Sequence, residues 1–418
     1  MSDASSGPAR DPRPAGRGFS TRAIRAASRA PDVRQHPTAV PIYQSATFST
    51  DDADELGRIS RGDLPGFSYS RLTNPTVTAL QDAIAELEGA EAAFALATGM
   101  AAVHAALLSL VSAGDRIVAS RNCYGSTRNL LLSVFARLGV RVDFTDITDH
   151  AAVDAALAAA PTRVLYAETI ANPTIVVADH ARLAAIARRH GARYVVDNTF
   201  ASPYVCRPLE LGADLVVESL TKWLGGHSDV MGGVVAGGKA LVAEVGRVQV
   251  DTGATLAPFS AFLVLRGLQT LAVRLDRHAA SAAALVAWLE RQDGVRRVAY
   301  PGLASHPQRP VAARQLRSGG GMLAFELVGG RDAGPAFIDA LSTAELTASL
   351  GSVHTIVVHP PTTSHRMLDD GALAEAGIAP GLLRVSVGLE DVEDLIADFE
   401  HALEVVRLDL AIPAATRG

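Results

Sequence analysis

The sequence predicts an α/β chain: a doubly wound, parallel-rich central sheet followed by a smaller C-terminal α+β domain. Three observations carry this. Between residues 116 and 217, short runs that are apolar throughout alternate with helical stretches, the pattern of parallel strands covered on both faces. Past Pro258 that alternation stops, and a long Ala/Leu-rich helical stretch is followed by scattered strands. At 418 residues the chain also exceeds one ordinary core, so two domains with terminal extensions are expected.

Taken in order, residues 1–18 are rich in Pro, Gly, Arg and Ser and read as a disordered tail. They lack the apolar core of a secretory signal, and Asp3 and Asp11 argue against a transit peptide. Residues 41–48 read as an extended, Ser/Thr-rich arm, and residues 51–67 show no clean period. Helices are expected over 79–88, ended by Gly89, and over 100–111 after Gly99. Then strands at 116–119, 140–144, 163–167, 193–196 and 215–217 alternate with helices at 126–138, 151–160 and 181–190. Right-handed crossovers would join them. The C-terminal part reads as one long helix over 262–291, strands at 322–327, 355–358 and 383–387, and a final helix over 392–406. That helix presents Leu395, Ile396, Phe399, Leu403 and Val406 on one face, with Asp391 placed to cap it or offset its dipole.

Composition removes several function classes. A net charge of -6 and no basic stripe leave no footprint for nucleic acid. The apolar runs are broken by Asp, Arg or Gly and fall short of a membrane span. Two cysteines, Cys123 and Cys206, make neither a disulfide framework nor a zinc site. A soluble cytoplasmic protein is expected. No metal site is expected either: His354, His359 and His365 lack acidic partners at ligand spacing, so they read as structural or substrate-pocket residues. The glycines 319–321 read as a turn into a strand, Cys123 as a buried inert thiol, and His227 as a neighbour of a cofactor loop.

Of 38 basic side chains only two, Lys222 and Lys239, are lysines. A guanidinium stays protonated, whereas a desolvated amine can lose its proton and attack a carbonyl. Lys239 follows Gly237-Gly238 and reads as a solvated charge in a turn. Lys222 follows an apolar β-branched run and precedes Gly225-Gly226, where a covalent catalyst is expected.

Ligands of an open α/β sheet collect beyond the carboxyl ends of its strands. There the chain delivers Glu168 and Asn172, then Asp197, Asn198 and Thr199, then Ser219, Thr221 and Lys222. A nucleophilic lysine one strand-helix-strand step from a strand-end Asp, with hydroxyls nearby, suggests pyridoxal 5'-phosphate. The amine binds the aldehyde carbon, and a carboxylate keeps the pyridine nitrogen protonated. Ser219, Thr221 and the N–H groups after Thr98 would take the phosphate. No Gly-x-Gly-x-x-Gly turn follows any expected strand, which argues against a nicotinamide dehydrogenase.

Across about 41–403 the chain resembles the pyridoxal-phosphate enzymes of cysteine and methionine metabolism, the transsulfuration group. The matching stretches include PIYQSATF from Pro41, YSRLTNPT from Tyr69, TGMAA from Thr98, YGST from Tyr124 and ETIANPT from Glu168. DNTF from Asp197, SLTKWLGGHSD from Ser219, LRGLQTL from Leu265 and LLRVSVGLED from Leu382 complete the series. The resemblance implies an aspartate aminotransferase-like fold (fold type I). It implies Lys222 as covalent anchor and proton carrier, Asp197 as partner of the pyridinium, and Tyr124 stacked on the ring. Gly99, Met100, Ser219 and Thr221 would cradle the phosphate, and Tyr69 and Arg71 would reach the phosphate of a neighbouring subunit. Arg384 would clamp the substrate carboxylate, supported by Ser349 and Asn172. It further implies an amino-acid substrate and a homotetramer of tight dimers with shared active sites. The domains would be a tail at 1–18, an arm at 19–73 that contacts the neighbour, a cofactor-binding domain at 74–262 and a C-terminal domain at 263–418.

Within the group, Ser126 stands where methionine γ-lyases carry Cys, and Ala348 where cystathionine γ-lyases commonly carry Glu. The stretch from His359 to His365 is closest to the sulfhydrylase and γ-synthase pattern. The expected reaction is γ-replacement on an O-acylhomoserine by a thiol or sulfide, with γ-elimination from cystathionine or methionine as the alternative. A non-catalytic scaffold of the same fold is the remote third; the intact set Lys222, Asp197, Tyr124 and Arg384 argues against it.

Overall fold

A computed structural model describes residues 17–27, 37–363, 365–366 and 369–409. Most of the expected tail, residues 1–16, lies outside the described residues. The strands are β1 (Ala92–Leu96), β2 (Arg116–Ser120), β3 (Arg141–Thr145), β4 (Val164–Glu168), β5 (Arg193–Asp197), β6 (Leu215–Ser219), β7 (Gly233–Gly237), β8 (Val295–Ala299), β9 (Met322–Leu327), β10 (Ile356–Val358) and β11 (Leu382–Ser386). Seven form a sheet in the order β1-β7-β6-β5-β4-β2-β3. Only β7 runs against its neighbours; β6, β5, β4, β2 and β3 pair parallel.

The continuous apolar runs follow from burial on both faces. Ile117, Ala119, Tyr166, Val195 and Val217 point to one side, under the helices Gly99–Leu108 and Lys239–Thr252. Val118, Leu165, Ala167, Tyr194 and Val196 point to the other, under His150–Ala159 and His180–Arg189. The second sheet, β10-β11-β9-β8, is antiparallel throughout. Its core joins Phe325, Phe337 and Phe399. Leu395, Phe399, Ala402 and Val406 are the buried face of the last helix, Val392–Asp409, and Ile396 and Leu403 sit at its edge. Asp391 pairs with Arg277 at 3.0 Å, while its carbonyl accepts from the Leu395 N–H.

Several elements depart from expectation, each for a local reason. β1 reads Ala-Ala-Phe-Ala-Leu, a helix-like composition, and β7 is bracketed by glycines; both are strands because they pair with each other and with β6. Lys239 is not in a turn but opens a helix, and its N–H donates to the Glu91 carboxylate at 2.8 Å. The stretch expected as one helix over 262–291 is two, Pro258–Leu268 and Leu271–Leu289. At the break, the Arg274 guanidinium donates to the Gly267 carbonyl and to Thr270 Oγ1. The segment 19–73 is only partly extended, since it contains helices Phe19–Ala27 and Ala53–Arg61. The second buries no residue, so it leaves no hydrophobic period to read. Its ends are set instead by the Asp52 cap and by Gly62 at φ 79°.

Candidate active site

The carboxyl ends of β4, β5 and β6 lie side by side. Glu168 is in register with Asp197, and Asp197 with Val217. The chain then turns tightly: the Gly225 N–H donates to the Leu220 carbonyl, and the Gly226 N–H to that of Lys222. Gly226 has φ 79° and packs on the Arg274 guanidinium, which donates to the Trp223 carbonyl at 2.9 Å. Trp223 is buried, its indole N–H donating to the Phe200 carbonyl. This turn aims Lys222 away from the sheet, and its Nζ donates to Ser349 Oγ at 2.6 Å. Burial, and secondarily the Arg384 cation, push the Lys222 amine down to about 8. Roughly a quarter of it is then neutral at pH 7.5, against about one part in a thousand for an ordinary lysine.

Asp197 ends β5, partly buried at the cleft. Its Oδ1 accepts from the Thr199 N–H at 2.9 Å and its Oδ2 from the Tyr166 hydroxyl at 3.3 Å. Burial still raises its carboxyl above the usual range, so a positive partner would be strongly favoured there. Glu168 is pushed up to about 8, first by burial and then by Asp197. Its oxygens accept from the backbone N–H groups of Tyr124 and Asn172.

Beside β6, helix Gly99–Leu108 begins. A Cβ added at Gly99 would stand 2.8 Å from Ser219 Cβ, so only glycine lets the helix start approach the strand end this closely. Thr98 caps the helix by accepting from the Ala101 N–H, and the Gly99 and Met100 N–H groups remain in its first turn next to Ser219. Thr221 Oγ1 accepts from the Gly232 N–H at 3.1 Å, leaving that hydroxyl tied to backbone as well as facing the cleft.

From the second sheet, β11 supplies Arg384. It is buried, donates to Asn172 Oδ1 at 3.3 Å and to the Ser349 carbonyl at 2.6 Å, and its Nε has no partner among the described residues. Burial lowers the guanidinium to about 10, and the Tyr124 phenol lies near enough to act on it electrostatically in the opposite direction. Ser349 holds φ at 100°, a conformation that costs a non-glycine residue on the order of 1–3 kcal/mol and tends to occur where function requires it. Next to Ser349 and Thr221 opens a cavity of about 760 Å³, also lined by Ala348, Glu345, His354 and Met231.

The fold thus brings together Lys222, Asp197, Tyr124, Ser219, Gly99, Met100, Thr221, Arg384, Asn172 and Ser349. Tyr69 and Arg71 stand apart on the surface, with Arg71 donating to the Val250 carbonyl at 2.6 Å and lying over the Tyr69 ring. Of the histidines, His359 is fixed between Thr362 and the Pro380 carbonyl, and His354 lies 3.5 Å from Glu345. Burial, and then the Arg384 cation, push the His365 imidazole below its usual value. His227 bonds the Gly225 carbonyl, and burial pushes the Cys123 thiol up. No group of three or more metal-ligating side chains occurs among the described residues, and no helix among them is long and apolar enough to cross a membrane. Sequence reasoning assigned no role to Tyr166 and Thr199. Tyr166 is the one residue of β4 before Glu168 with a polar tip, two positions before it and so on the same face, which is a readable signal. Thr199 also accepts the Ser219 N–H at 2.9 Å, so it ties Asp197 to the end of β6.

Comparison with known proteins agrees with this geometry. The family model described as "Cys/Met metabolism PLP-dependent enzyme" matches residues 20–404. O-succinylhomoserine sulfhydrylase of Pseudomonas aeruginosa is 45% identical over 93% of this chain and 96% of its own length. L-methionine gamma-lyase of Pseudomonas putida is 44% identical over 93% and 97%. Among solved structures, cystathionine gamma synthase of Xanthomonas oryzae pv. oryzae superposes with a TM-score of 0.88 at 36% identity, covering 94% of this chain and 99% of its own. A family model spanning nearly the whole chain, on the fold that carries this lysine and aspartate, leaves one conclusion: the protein belongs to the Cys/Met metabolism PLP-dependent enzymes, and pyridoxal 5'-phosphate is its cofactor.

Proposed function

We propose that this enzyme catalyses γ-replacement on an O-acylhomoserine, with a thiol or sulfide as the incoming nucleophile. The residues fit the cofactor by their own chemistry. Lys222 is a lone amine with a depressed pKa, Asp197 a buried carboxyl short of a cation, and the Gly99 approach to Ser219 leaves two N–H groups and a hydroxyl at one point. In this reading Lys222 anchors pyridoxal phosphate, Asp197 faces the ring nitrogen, and Tyr124 stacks on the ring. Gly99, Met100, Ser219 and Thr221 hold the phosphate, helped by Tyr69 and Arg71 of a neighbouring subunit. The bound cofactor supplies an electron sink for negative charge developed at the substrate α-carbon.

Arg384 orients the substrate through its carboxylate, with its fork already held by Asn172 and Ser349. Lys222, neutral in a useful fraction near pH 7.5, takes the Cα proton, and Ser349 steers the amine as it moves. Having handed that proton on, Lys222 would also accept a Cβ proton as the γ-acyloxy group leaves as a carboxylate; the sulfur nucleophile, losing its S–H proton, would add at Cγ, and protons would return to Cβ and Cα. The observation that carries replacement over elimination is Ala348. It lines the cavity next to Ser349 with a methyl group, so no carboxylate at that position meets the γ-substituent. The near-equal identity to a methionine γ-lyase supports γ-elimination as the second reading. Two units, residues 74–262 and 263–418, working as a cytoplasmic homotetramer, complete the proposal.

The deciding assay sets O-acetyl- or O-succinylhomoserine with sulfide or cysteine beside cystathionine or methionine alone. Formation of the γ-substituted thioether or homocysteine only in the first pair is expected. 2-Oxobutanoate and ammonia released only from the second pair would overturn replacement.

A further inference from the structure

Glu168 ends β4 and is 4% exposed. One carboxylate oxygen accepts the Tyr124 N–H, and the other accepts the Asn172 N–H at 3.2 Å. Tyr124 precedes the helix Gly125–Leu130 and has no side-chain cap of its own, so Glu168 serves the segment that presents its phenol. From Asn172 the hydrogen bonds continue: Arg384 donates to Asn172 Oδ1 and to the Ser349 carbonyl, and Lys222 donates to Ser349 Oγ. One side chain therefore sits between the residue assigned to the ring face and the residues assigned to the substrate carboxylate. The two N–H groups it joins belong to distant parts of the sequence, Tyr124 lying 44 positions before Glu168 and Asn172 four after it.

We propose that Glu168 is a positioning residue that fixes Tyr124 and Asn172 relative to each other, and so sets the gap between the ring-stacking phenol and the Arg384 clamp. This rests on the roles proposed above for Tyr124, Asn172 and Arg384. The chemistry of the side chain makes it testable. Both Glu168 oxygens accept here, the ionised arrangement that the two N–H groups favour against burial and Asp197, whereas a carboxamide offers one acceptor and one donor. Glu168→Gln can therefore satisfy one N–H and must oppose the other with an N–H of its own. Glu168→Asp keeps both acceptors on a stem shorter by one methylene.

The experiment uses the holoenzyme and compares E168Q, E168D, Y124F and N172A by visible circular dichroism of the bound cofactor, by steady-state kinetics and by thermal denaturation. In E168Q the visible absorption persists, because Lys222 is untouched, while the dichroism of that band changes. KM for the amino-acid substrate rises roughly tenfold or more, with kcat falling less. E168D recovers most of the dichroism and KM, and E168Q adds little further KM effect when combined with N172A. Unchanged dichroism and KM in E168Q, with only a lower melting midpoint, would overturn the proposal, as would full additivity with N172A. If E168Q does not fold, Glu168→Ala takes its place under the same criteria: unchanged dichroism and KM overturn the proposal. If N172A leaves KM unchanged while E168Q raises it, the failure belongs to the assigned role of Asn172 and the dichroism arm with Y124F still judges Glu168.

Discussion

Arg384→Gln separates a substrate clamp from a structural arginine. The guanidinium is buried and has no acidic partner among the described residues, and burial brings its pKa from 12.5 to about 10. Holding that charge in the fold therefore costs about 3 kcal/mol. Removing it relieves this cost but leaves Asn172 Oδ1 and the Ser349 carbonyl short of a donor, at about 1–3 kcal/mol for each acceptor that the glutamine amide does not reach. The two effects nearly cancel, so the apoenzyme should melt within a few degrees of wild type. Substrate recognition does not cancel. A bidentate, charge-assisted pair in a desolvated site contributes on the order of 3–5 kcal/mol, so kcat/KM should fall by about 10²–10⁴-fold. Loss of the cation also lets the Lys222 amine rise, which slows cofactor capture by the apoenzyme at neutral pH and moves its pH midpoint upward. Calorimetry of the apoenzyme, initial rates against substrate concentration and capture rates against pH give the three readouts. A variant that loses many degrees of stability yet keeps its KM would show Arg384 to be a scaffold element and refute the reasoning.

Other outcomes follow from the same geometry. Lys222→Ala should abolish the visible band of the lysine-bound cofactor and reduce turnover by about 10³-fold or more, read by absorbance and single-turnover assay; a yellow, active variant contradicts the anchor. Gly99→Ala would drive its methyl against Ser219, so cofactor affinity of the apoenzyme should drop by about tenfold or more, measured by fluorescence titration with free pyridoxal phosphate. Burial is the first cause that raises both Glu88, to about 7, and Glu218, well above the usual carboxyl range, and Asn198 Nδ2 donates to both. The folded pair keeps a proton that the unfolded chain loses near pH 4–5. Its stabilisation is complete below that range and is lost as pH rises through the folded values, by about 1.4 kcal/mol per pH unit for one proton. The melting midpoint should thus decline as pH rises from about 5 to 7, and Glu218→Gln should flatten the decline; a slope unchanged in the variant rules the pair out as its source.

How much of this was legible depended on whether the cause was local. Four of the parallel strands, β2, β4, β5 and β6, were readable because burial on both faces writes apolar runs, whereas β3 at the sheet edge is only partly buried. Since parallel strands end on one side, Glu168, Asp197 and Lys222 could be placed together before any contact was known. β1 and β7 were not readable, because their strand character comes from pairing rather than from Ala-Ala-Phe-Ala-Leu or Gly-Val-Val-Ala-Gly themselves. The break before Leu271 was hidden although the hydrogen bonds across it, from Arg274 to Gly267 and Thr270, are local; the same guanidinium is held from outside by the Trp223 carbonyl. Arg384 and Ser349 entered through family resemblance alone, and Asn172 was otherwise read only as lying past a strand end. Nothing in their spacing says that a strand of the second sheet will place a guanidinium between an amide and a carbonyl of two other segments. Glu168 was noticed as a strand-end acid, but its partners are backbone N–H groups, which any residue type supplies and no motif records.

The scarcity of lysine, two among 38 basic side chains, has a counterpart in the charge layout of the cleft. On the large-sheet side lie Glu168 and Asp197, with Glu88 and Glu218 behind Asn198, and burial raises all four carboxyls. On the small-sheet side lie Lys222 and Arg384, both lowered by burial. Each group is held against its preferred charge state, which is an electrostatic cost built in during folding and not during turnover. A ligand that is cationic toward the sheet and anionic toward β11 relieves both sides at once. A protonated pyridine ring joined to an amino-acid carboxylate has that polarity. The same layout explains why the lysine cannot be an arginine: next to Arg384, and with Ser349 as the amine's hydrogen-bond partner among the described residues, a second permanent cation would have no way to shed its charge, whereas an amine near pH 8 can.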